Sequence, residues 1–349
     1  MADCSSLESR VYPPYLPEDR QALDAFLAAR GLQWEPDIDY SVALFAGERM
    51  VGTGSLAGRI LKCLAVEDSL QGEGIAAALV SRLEAEAAAR GIASPFVFTK
   101  PRYERLFASL GYRRIEEVPG LVTLLEKGDG LRRWTDRLAS LRRGGAPVSA
   151  LVVNCNPVTL GHLHLVRTAA AGSAWVFLFV VAEEASAFPA DVRLRLVREA
   201  TAAIPNLTVV PGSDYLVSRA TFPSYFLKDC PGGVEQVHAR LDARIFARHI
   251  APALGITRRY LGEEPFCRVT SAYNQALEEE LPPAGIEVRV IPRLAVDGVP
   301  VSASQVRNHL REGDLDAALK LVPPATANYL RSEEAAPVLA RLAAGNGRH

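Results

Sequence analysis

From Val148 to Val153 the chain is apolar but for Ser149, and beyond it apolar residues recur at Leu163, Val166, Ala169 and Ala170. The first pattern predicts a buried parallel strand and the second a helix packed by one face. The alternation then continues. Trp175 to Ala182 reads as a strand, Pro189 to about Ala203 as a helix, Leu207 to Val210 as a strand and Ala239 to Ala251 as a helix. A strand running into Leu261, a helix from Thr270 to Glu280 and a strand from Glu287 to Ile291 complete the series. Such alternation predicts a doubly wound parallel sheet, whose ligands bind beyond the carboxyl ends of its strands. Two short helices should close this fold near Arg331.

The first third of the chain follows another pattern. After an irregular arm over residues 1–16, Leu23, Phe26 and Leu27 give one apolar face to a helix from Glu18 to Arg30, which Gly31 ends. Tyr40 to Ala46, Met50 to Leu56 and Ile60 to Val66 read as a three-strand meander. An Ala-rich helix ending near Gly91, a strand over Phe96 to Thr99, a helix over Arg102 to Ser109 and a strand opening at Tyr112 follow. The fold class is therefore α/β in two parts: an α+β domain over residues 1–128 and a parallel-sheet domain over 148–332. Between them, residues 129–147 form a basic helix with Leu131, Trp134, Leu138 and Leu141 on one face, and an Ala-rich tail over 333–349 is expected to fray.

Composition narrows the function. The chain has 349 residues, enough for two cores. Its 39 basic and 40 acidic residues leave a net charge of −1, so no global field favours nucleic acid or an anionic membrane, and anion recognition must be local. The polar start and the lack of a long charge-free apolar run point to a cytoplasmic protein without a membrane span. Five scattered cysteines (Cys4, Cys63, Cys155, Cys230, Cys267) form no Cys-x-x-Cys pair and suggest neither a disulfide framework nor a zinc site. Cys155 stands apart because it lies inside the candidate phosphate turn.

That turn lies between the Val148–Val153 run and the helix after it. Asn154, Asn156 and Pro157 are turn formers, Thr159 can cap the helix, Gly161 allows close backbone approach, and His162 falls in the first helical turn. A helix start offers free N–H groups and partial positive charge, so it is an anion site, and a histidine there can bond a phosphate oxygen. Val301 to Arg307 repeats the device, with Ser302 and Ser304 opening a helix and Arg307 one turn in. The two stretches resemble the two signatures of the nucleotidyltransferase superfamily, which implies a Rossmann-like second domain that binds ATP through these residues. Between the strands, Gly212 to Asp229 carries Asp214, Tyr215, Arg219, Phe222, Tyr225, Phe226 and Lys228, and is expected to line the acceptor pocket. The basic residue that several related transferases place after the second strand is missing at Ala182 to Ser186, leaving Arg193, Arg219 or Lys228 to neutralise phosphate.

In the first domain, Gln71-Gly72-Glu73-Gly74-Ile75-Ala76 resembles the pyrophosphate loop of the GNAT acetyltransferases, where backbone N–H groups hold the diphosphate of coenzyme A. The resemblance implies a GNAT-like domain that holds a CoA-like arm through Gln71, Gly72, Gly74 and Ala76. Many GNAT enzymes carry a tyrosine four residues before the glycine of the Leu-Gly-aromatic turn; here that residue is Phe107, with Tyr103 one helical turn earlier. Binding rather than catalysis is expected of this domain.

From about Arg49 to Leu330 the chain resembles the citrate lyase ligases. The matching stretches are Asn-x-Asn-Pro-x-Thr-x-Gly-His at 154–162, Gly-Ser-Asp-Tyr and Ser-Arg-Ala-Thr-Phe-Pro within 212–223, Glu-Pro-Phe-Cys at 264–267 and Ser-Ala-Ser-x-Val-Arg at 302–307. The resemblance implies an ATP- and Mg²⁺-dependent ligase that makes acetyl-adenylate from acetate. The acetyl group then passes to the thiol of the phosphoribosyl-dephospho-CoA group on the acyl-carrier subunit of citrate lyase, switching the lyase on. It adds Glu264 to the nucleotide site and leaves any metal ligands unspecified. Two other readings stay open: a nucleotidyltransferase that leaves AMP on a phosphate-bearing acceptor, as in CoA or NAD biosynthesis, and a GNAT acetyltransferase with a nucleotide-binding regulatory domain.

Overall fold

The computed structural model describes residues 7–12, 16–182, 186–216, 226–227, 233–264 and 268–345. Its contacts divide the chain into two units, residues 1–134 with 223–237, and residues 135–222 with 238–349. The division falls inside a helix, α4 (Gly130–Ser140), which lies in the stretch expected to be the linker.

The first unit is built on strands β1 (Glu8–Tyr12), β2 (Tyr40–Ala46), β3 (Arg49–Ala57), β4 (Ile60–Val66), β5 (Phe96–Thr99), β6 (Tyr112–Val118) and β7 (Val122–Lys127), in the order β1-β2-β3-β4-β5-β7-β6. Every neighbouring pair is antiparallel except β4 and β5, which are parallel and bonded only through Ile60 with Phe96 and Leu61 with Val97. Helices α2 (Ile75–Ala89) and α3 (Glu104–Ser109) cover one face, packing Ile75, Leu79, Leu83 and Phe107 on Val42, Leu44, Leu56 and Leu61. Helix α1 (Pro17–Ala28) covers the other with Leu23 and Leu27, where Phe226 also packs. Two features differ from expectation. Residues 8–12 form an edge strand rather than an irregular arm, paired from Glu8 with Phe45 to Tyr12 with Ser41. Only Tyr12 of that strand is buried, so no alternation marked it. Strand β7, whose first five residues are buried on both faces, also lacked an alternating pattern.

The second unit holds five parallel strands, β8 (Val148–Val153), β9 (Trp175–Val180), β10 (Leu207–Pro211), β11 (Arg258–Gly262) and β12 (Glu287–Ile291), in the order β10-β9-β8-β11-β12. The chain winds outward from β8 to β10 and then returns to the other side of β8, so the switch point lies beside the carboxyl end of β8. That is where an open α/β sheet binds its ligand. The helices are α5 (Leu160–Ala171), α6 (Ala190–Thr201), α7 (Gly233–Ile245), α8 (Ala251–Leu254), α9 (Arg268–Glu280), α10 (Ala303–Arg311), α11 (Leu315–Leu319), α12 (Pro324–Arg331) and α13 (Ala336–Ala343). One π-helical turn, Phe246–Ile250, joins α7 to α8. Among the described residues no helix is long and apolar enough to cross a membrane.

The expected frayed tail is corrected by α13. Its Val338 and Leu342 are buried in the same core as Leu151, Leu178, Leu196, Val306 and Leu330. An Ala-rich composition hid a short amphipathic helix whose only large apolar groups point inward. Replacing Leu342, which is fully buried, by alanine should therefore destabilise the protein by about 2–5 kcal/mol, read as a lower denaturant midpoint. A variant as stable as the parent would mean that α13 is not part of the core.

Candidate functional site

At the end of β8 the chain turns through Asn154 and Cys155, the latter in the left-handed region at φ 52°, and enters α5. Thr159 is the N-cap in extended conformation, as a cap requires. Its hydroxyl accepts the His162 N–H at 3.3 Å, and His162 Nδ1 accepts the Thr159 N–H at 3.1 Å while lying 2.9 Å from Thr159 Oγ1. This is a capping box with histidine in the place usually taken by Glu or Gln. Because Nδ1 is the acceptor, the neutral ring carries its proton on Nε2, which has no protein partner among the described residues. Burial, reinforced by the Arg293 guanidinium, pulls the His162 pKa down to about 4. At pH 7 the site therefore holds a neutral imidazole with a free N–H donor.

Helix α10 begins with the same device. Ser302 accepts the Gln305 N–H at 3.2 Å, and the Gln305 carbonyl oxygen accepts the Ser302 N–H at 2.9 Å. The two helix starts are joined by Arg307, which is buried and donates from Nη1 to the Asn156 carbonyl at 2.6 Å and from Nη2 to Ser304 Oγ at 3.2 Å. Burial, with Arg311 nearby, lowers the Arg307 pKa from its ordinary value, yet the group remains a cation. Ser304 is exposed and, accepting from Arg307, keeps its own proton available.

Several residues expected at the ligand also have partners within the fold. A Cβ on Gly161 would lie 3.1 Å from the Val301 carbonyl, so this glycine lets the chain before α10 close on α5. Asn156 is buried and accepts the Phe188 N–H through Oδ1 at 2.9 Å, holding the approach to α6. Pro157 is buried after it. Asn154 pairs with Ser186 and receives Arg193 Nη1 at 2.7 Å. Arg193 is itself fully buried, donating also to the carbonyls of Phe188, Asn154 and Val181, and so fixes the turn from below instead of neutralising phosphate. Cys155 is buried and its thiol is pushed up to about 12 by burial, against a small opposing effect of Arg193, which excludes a reactive thiolate. From the far side, Thr326 donates to the Val158 carbonyl at 3.1 Å and Leu160 N–H to the Leu321 carbonyl at 2.9 Å.

Glu264, expected at the nucleotide, is ion-paired with Arg293. Arg293 was not singled out from the sequence; the usable signal was its place just past the carboxyl end of β12, on the edge where such sheets bind ligands. In the proposed acceptor segment, Asp214 is exposed and Tyr215 is buried, its N–H bonded to Ser213 Oγ at 3.3 Å. Arg219, Phe222, Tyr225, Lys228 and the Pro265-Phe266-Cys267 stretch lie outside the described residues, as do Cys4 and Cys230.

In the first unit, Gly72 and Gly74 adopt φ 93° and 81°, and α2 starts at the next residue, Ile75. Gln71, Gly72 and Gly74 are exposed, and Ala76 lies half-buried in the first turn. Gln71 Nε2 donates to Asp68 Oδ1 at 3.0 Å. The loop has the shape of an anion-binding helix entry. Phe107 is buried with its ring edge-on to Tyr112 at 5.7 Å, while Tyr103 is exposed and receives a hydrogen bond from Arg102.

A parallel sheet whose switch point carries two capped helix starts, a histidine and a buried arginine defines a nucleotidyltransferase-type α/β domain, joined here to a GNAT-type unit. A family model described as the citrate lyase ligase C-terminal domain matches residues 148–330, and one described as an acetyltransferase (GNAT) domain matches residues 13–120. The citrate (pro-3S)-lyase ligase of Escherichia coli K12 is 40% identical over 315 residues, covering 88% of this chain and 89% of its own. That of Klebsiella pneumoniae is 40% identical over 316 residues, covering 89% and 92%. That of Haemophilus influenzae is 36% identical over 316 residues, covering 88% and 94%. Among solved structures, Escherichia coli ElaA aligns with 35% of this chain and 99% of its own at a TM-score of 0.31 and 11% identity. The chain belongs to the citrate lyase ligase family.

The His162 environment is directly testable. Since its folded pKa, about 4, lies below the unfolded 6.5, the unfolded chain binds the extra proton first as pH falls, so stability is lost between roughly pH 6.5 and 4. Ring ¹H–¹⁵N spectra should show the Nε2–H neutral tautomer down to about pH 5, and His162→Gln should flatten the acid-side stability slope. A His162 midpoint near 6.5 would contradict the geometry described.

Proposed function

We propose that this protein activates acetate with ATP and acetylates the CoA-like thiol of the citrate lyase acyl-carrier subunit. A carboxylate oxygen of acetate attacks the α-phosphorus, the bond to the β-phosphate oxygen breaks, and pyrophosphate leaves with its electron pair. The thiolate then attacks the acetyl carbon of acetyl-adenylate and expels AMP. The observation that carries the reading is the junction at the switch point, where Arg307 reaches from α10 to the turn that starts α5. Family membership along nearly the whole length of the relatives supports the rest.

The residues fit the chemistry. Displacement at phosphorus needs alignment and positive charge where the leaving group accumulates negative charge, with little covalent help. The α5 and α10 starts supply N–H groups, His162 Nε2–H and Ser304 Oγ–H are further donors, and Arg307 supplies charge. Thr159 orients His162, and Ser302 shapes the α10 entry. Mg²⁺ would enter with ATP on its phosphate oxygens, with few protein ligands. The Gln71–Ala76 loop, exposed through Gly74 and with its two glycines in the left-handed region, supports a place for the diphosphate of the CoA-like arm. Phe107 offers no proton for a departing thiolate, which supports binding without GNAT catalysis in that unit.

Acetate-dependent exchange of labelled pyrophosphate into ATP tests the first half-reaction. His162→Ala and Arg307→Ala should each slow it by roughly a hundredfold or more. Arg307→Ala should also cost about 1–3 kcal/mol of stability, because it strips the Asn156 carbonyl of its buried donor. Near-normal exchange in either folded variant would remove that residue from the mechanism.

Gly74→Glu separates the units. A side chain at φ 81° strains the helix entry and its carboxylate repels a diphosphate, so pyrophosphate exchange should persist while acetyl transfer to the carrier thiol weakens, mainly through carrier binding. Equal loss of both half-reactions in a folded variant would contradict this division.

A further inference from the structure

The buried cation at the junction, Arg307, donates to a backbone carbonyl and to Ser304 and keeps Nε out of solvent without a partner among the described residues, and Arg193 is committed to the turn beneath. A leaving group carrying several negative charges calls for a cation with free N–H groups at the mouth of the site. Arg293 has that character. It lies just past the carboxyl end of β12, and its neighbour Leu294 accepts the Val301 N–H at 2.8 Å. The Val301 carbonyl in turn sits against Gly161, one residue before His162. The backbone thus brings Arg293 to the rim of the α5 start, and its effect on the His162 pKa agrees with that proximity.

The guanidinium is anchored on one side only. Nε donates to the Glu263 carbonyl at 2.8 Å and Nη2 to Glu264, whose side chain is 11% exposed. Nη1 has no partner among the described residues, and the side chain is 21% exposed, so one edge of the fork opens to solvent. An arginine held this way has surrendered its rotamer freedom before any ligand arrives, which is the condition for efficient charge stabilisation. A carboxylate placed directly on a polyphosphate would repel it; placed behind an arginine, it orients the cation.

Building on the proposed ligase reading, we propose that Arg293 binds the pyrophosphate moiety of ATP and receives it as it leaves, and that Glu264 is the positioning residue for Arg293 rather than a nucleotide contact. Arg293 then supplies the positive charge that the loop after β9 lacks.

Inorganic pyrophosphate is the probe, because its binding can be measured by calorimetry without turnover. Arg293→Gln should weaken pyrophosphate at least tenfold and lower acetate-dependent exchange by roughly a hundredfold. It should also move the His162 titration upward, since a repelling cation is gone. Glu264→Ala should weaken pyrophosphate several-fold, with Glu264→Gln, which still accepts an N–H, recovering part of the loss. A merely structural role for Glu264 would not produce this graded recovery in pyrophosphate affinity. If Arg293→Gln fails to fold, Arg293→Lys decides: an ammonium keeps the charge but places its donors on a single atom, so it cannot span both the Glu263 and Glu264 anchors and still present a planar fork, and pyrophosphate should bind several-fold more weakly. Parental pyrophosphate affinity in folded Arg293→Gln, or in Arg293→Lys where that is the variant read, would overturn the proposal. A wild-type protein that binds pyrophosphate but shows no acetate-dependent exchange would sink the ligase reading while leaving the Arg293 site intact.

Discussion

One hydrogen bond holds the second unit's site together, that from Arg307 Nη1 to the Asn156 carbonyl. It joins two helices that start more than a hundred residues apart in sequence and fixes both positive ends toward the switch point. The arginine's partners are a carbonyl and a hydroxyl, both neutral, so its charge is not cancelled locally. Keeping an unpaired cation largely out of water is unfavourable, and the lowered pKa of Arg307 records that cost. A phosphate chain at the junction would relieve it. In the proposed reaction the site is thus set for an anion before one binds, and its charge need not reorganise as negative charge moves onto the leaving group.

The supporting shell follows from that constraint. Gly161 lets Val301 close on α5, Arg193 and Asn154 lock the turn from within, and Thr326 of α12 and Leu321 just before it hold the turn from the C-terminal side. Both helix starts use a reciprocal cap, Thr159 with His162 and Ser302 with Gln305. In the first the capping partner is also the proposed donor to phosphate, so one contact sets its tautomer and its aim. In the proposed reaction the GNAT-type unit contributes a place for the thiol arm, with Phe107 filling the core position where many such folds keep an acid.

Most of this fold was legible because its strands and helices obey simple periods. The β8 run, the α5 stripe, β2, β4, β5 and β12 stand where the apolar pattern put them. Elements without such a signal escaped: the exposed edge strand β1, β7 with its buried run, and α13, whose alanines masked its two inward residues. For the site, residue type and local spacing marked His162, Thr159, Ser302 and Arg307, because capping acts over three or four residues. The partners of Asn154, Asn156, Gly161 and Glu264 come from distant elements and had no local mark. Arg193 illustrates the limit: an arginine in a helix after the second strand reads as a candidate to neutralise phosphate, and only the packing shows all of it buried under the turn.

In the proposed reaction an acetate oxygen attacks the α-phosphorus, and oxygen transfer tests that bond directly. Turnover with ATP, ¹⁸O-labelled acetate and the thiol form of citrate lyase should place one ¹⁸O in each AMP released, with none in pyrophosphate. Acetylation of the lyase with unlabelled AMP, or with label in phosphate or pyrophosphate, would show that no acetyl-adenylate had formed and would contradict the mechanism.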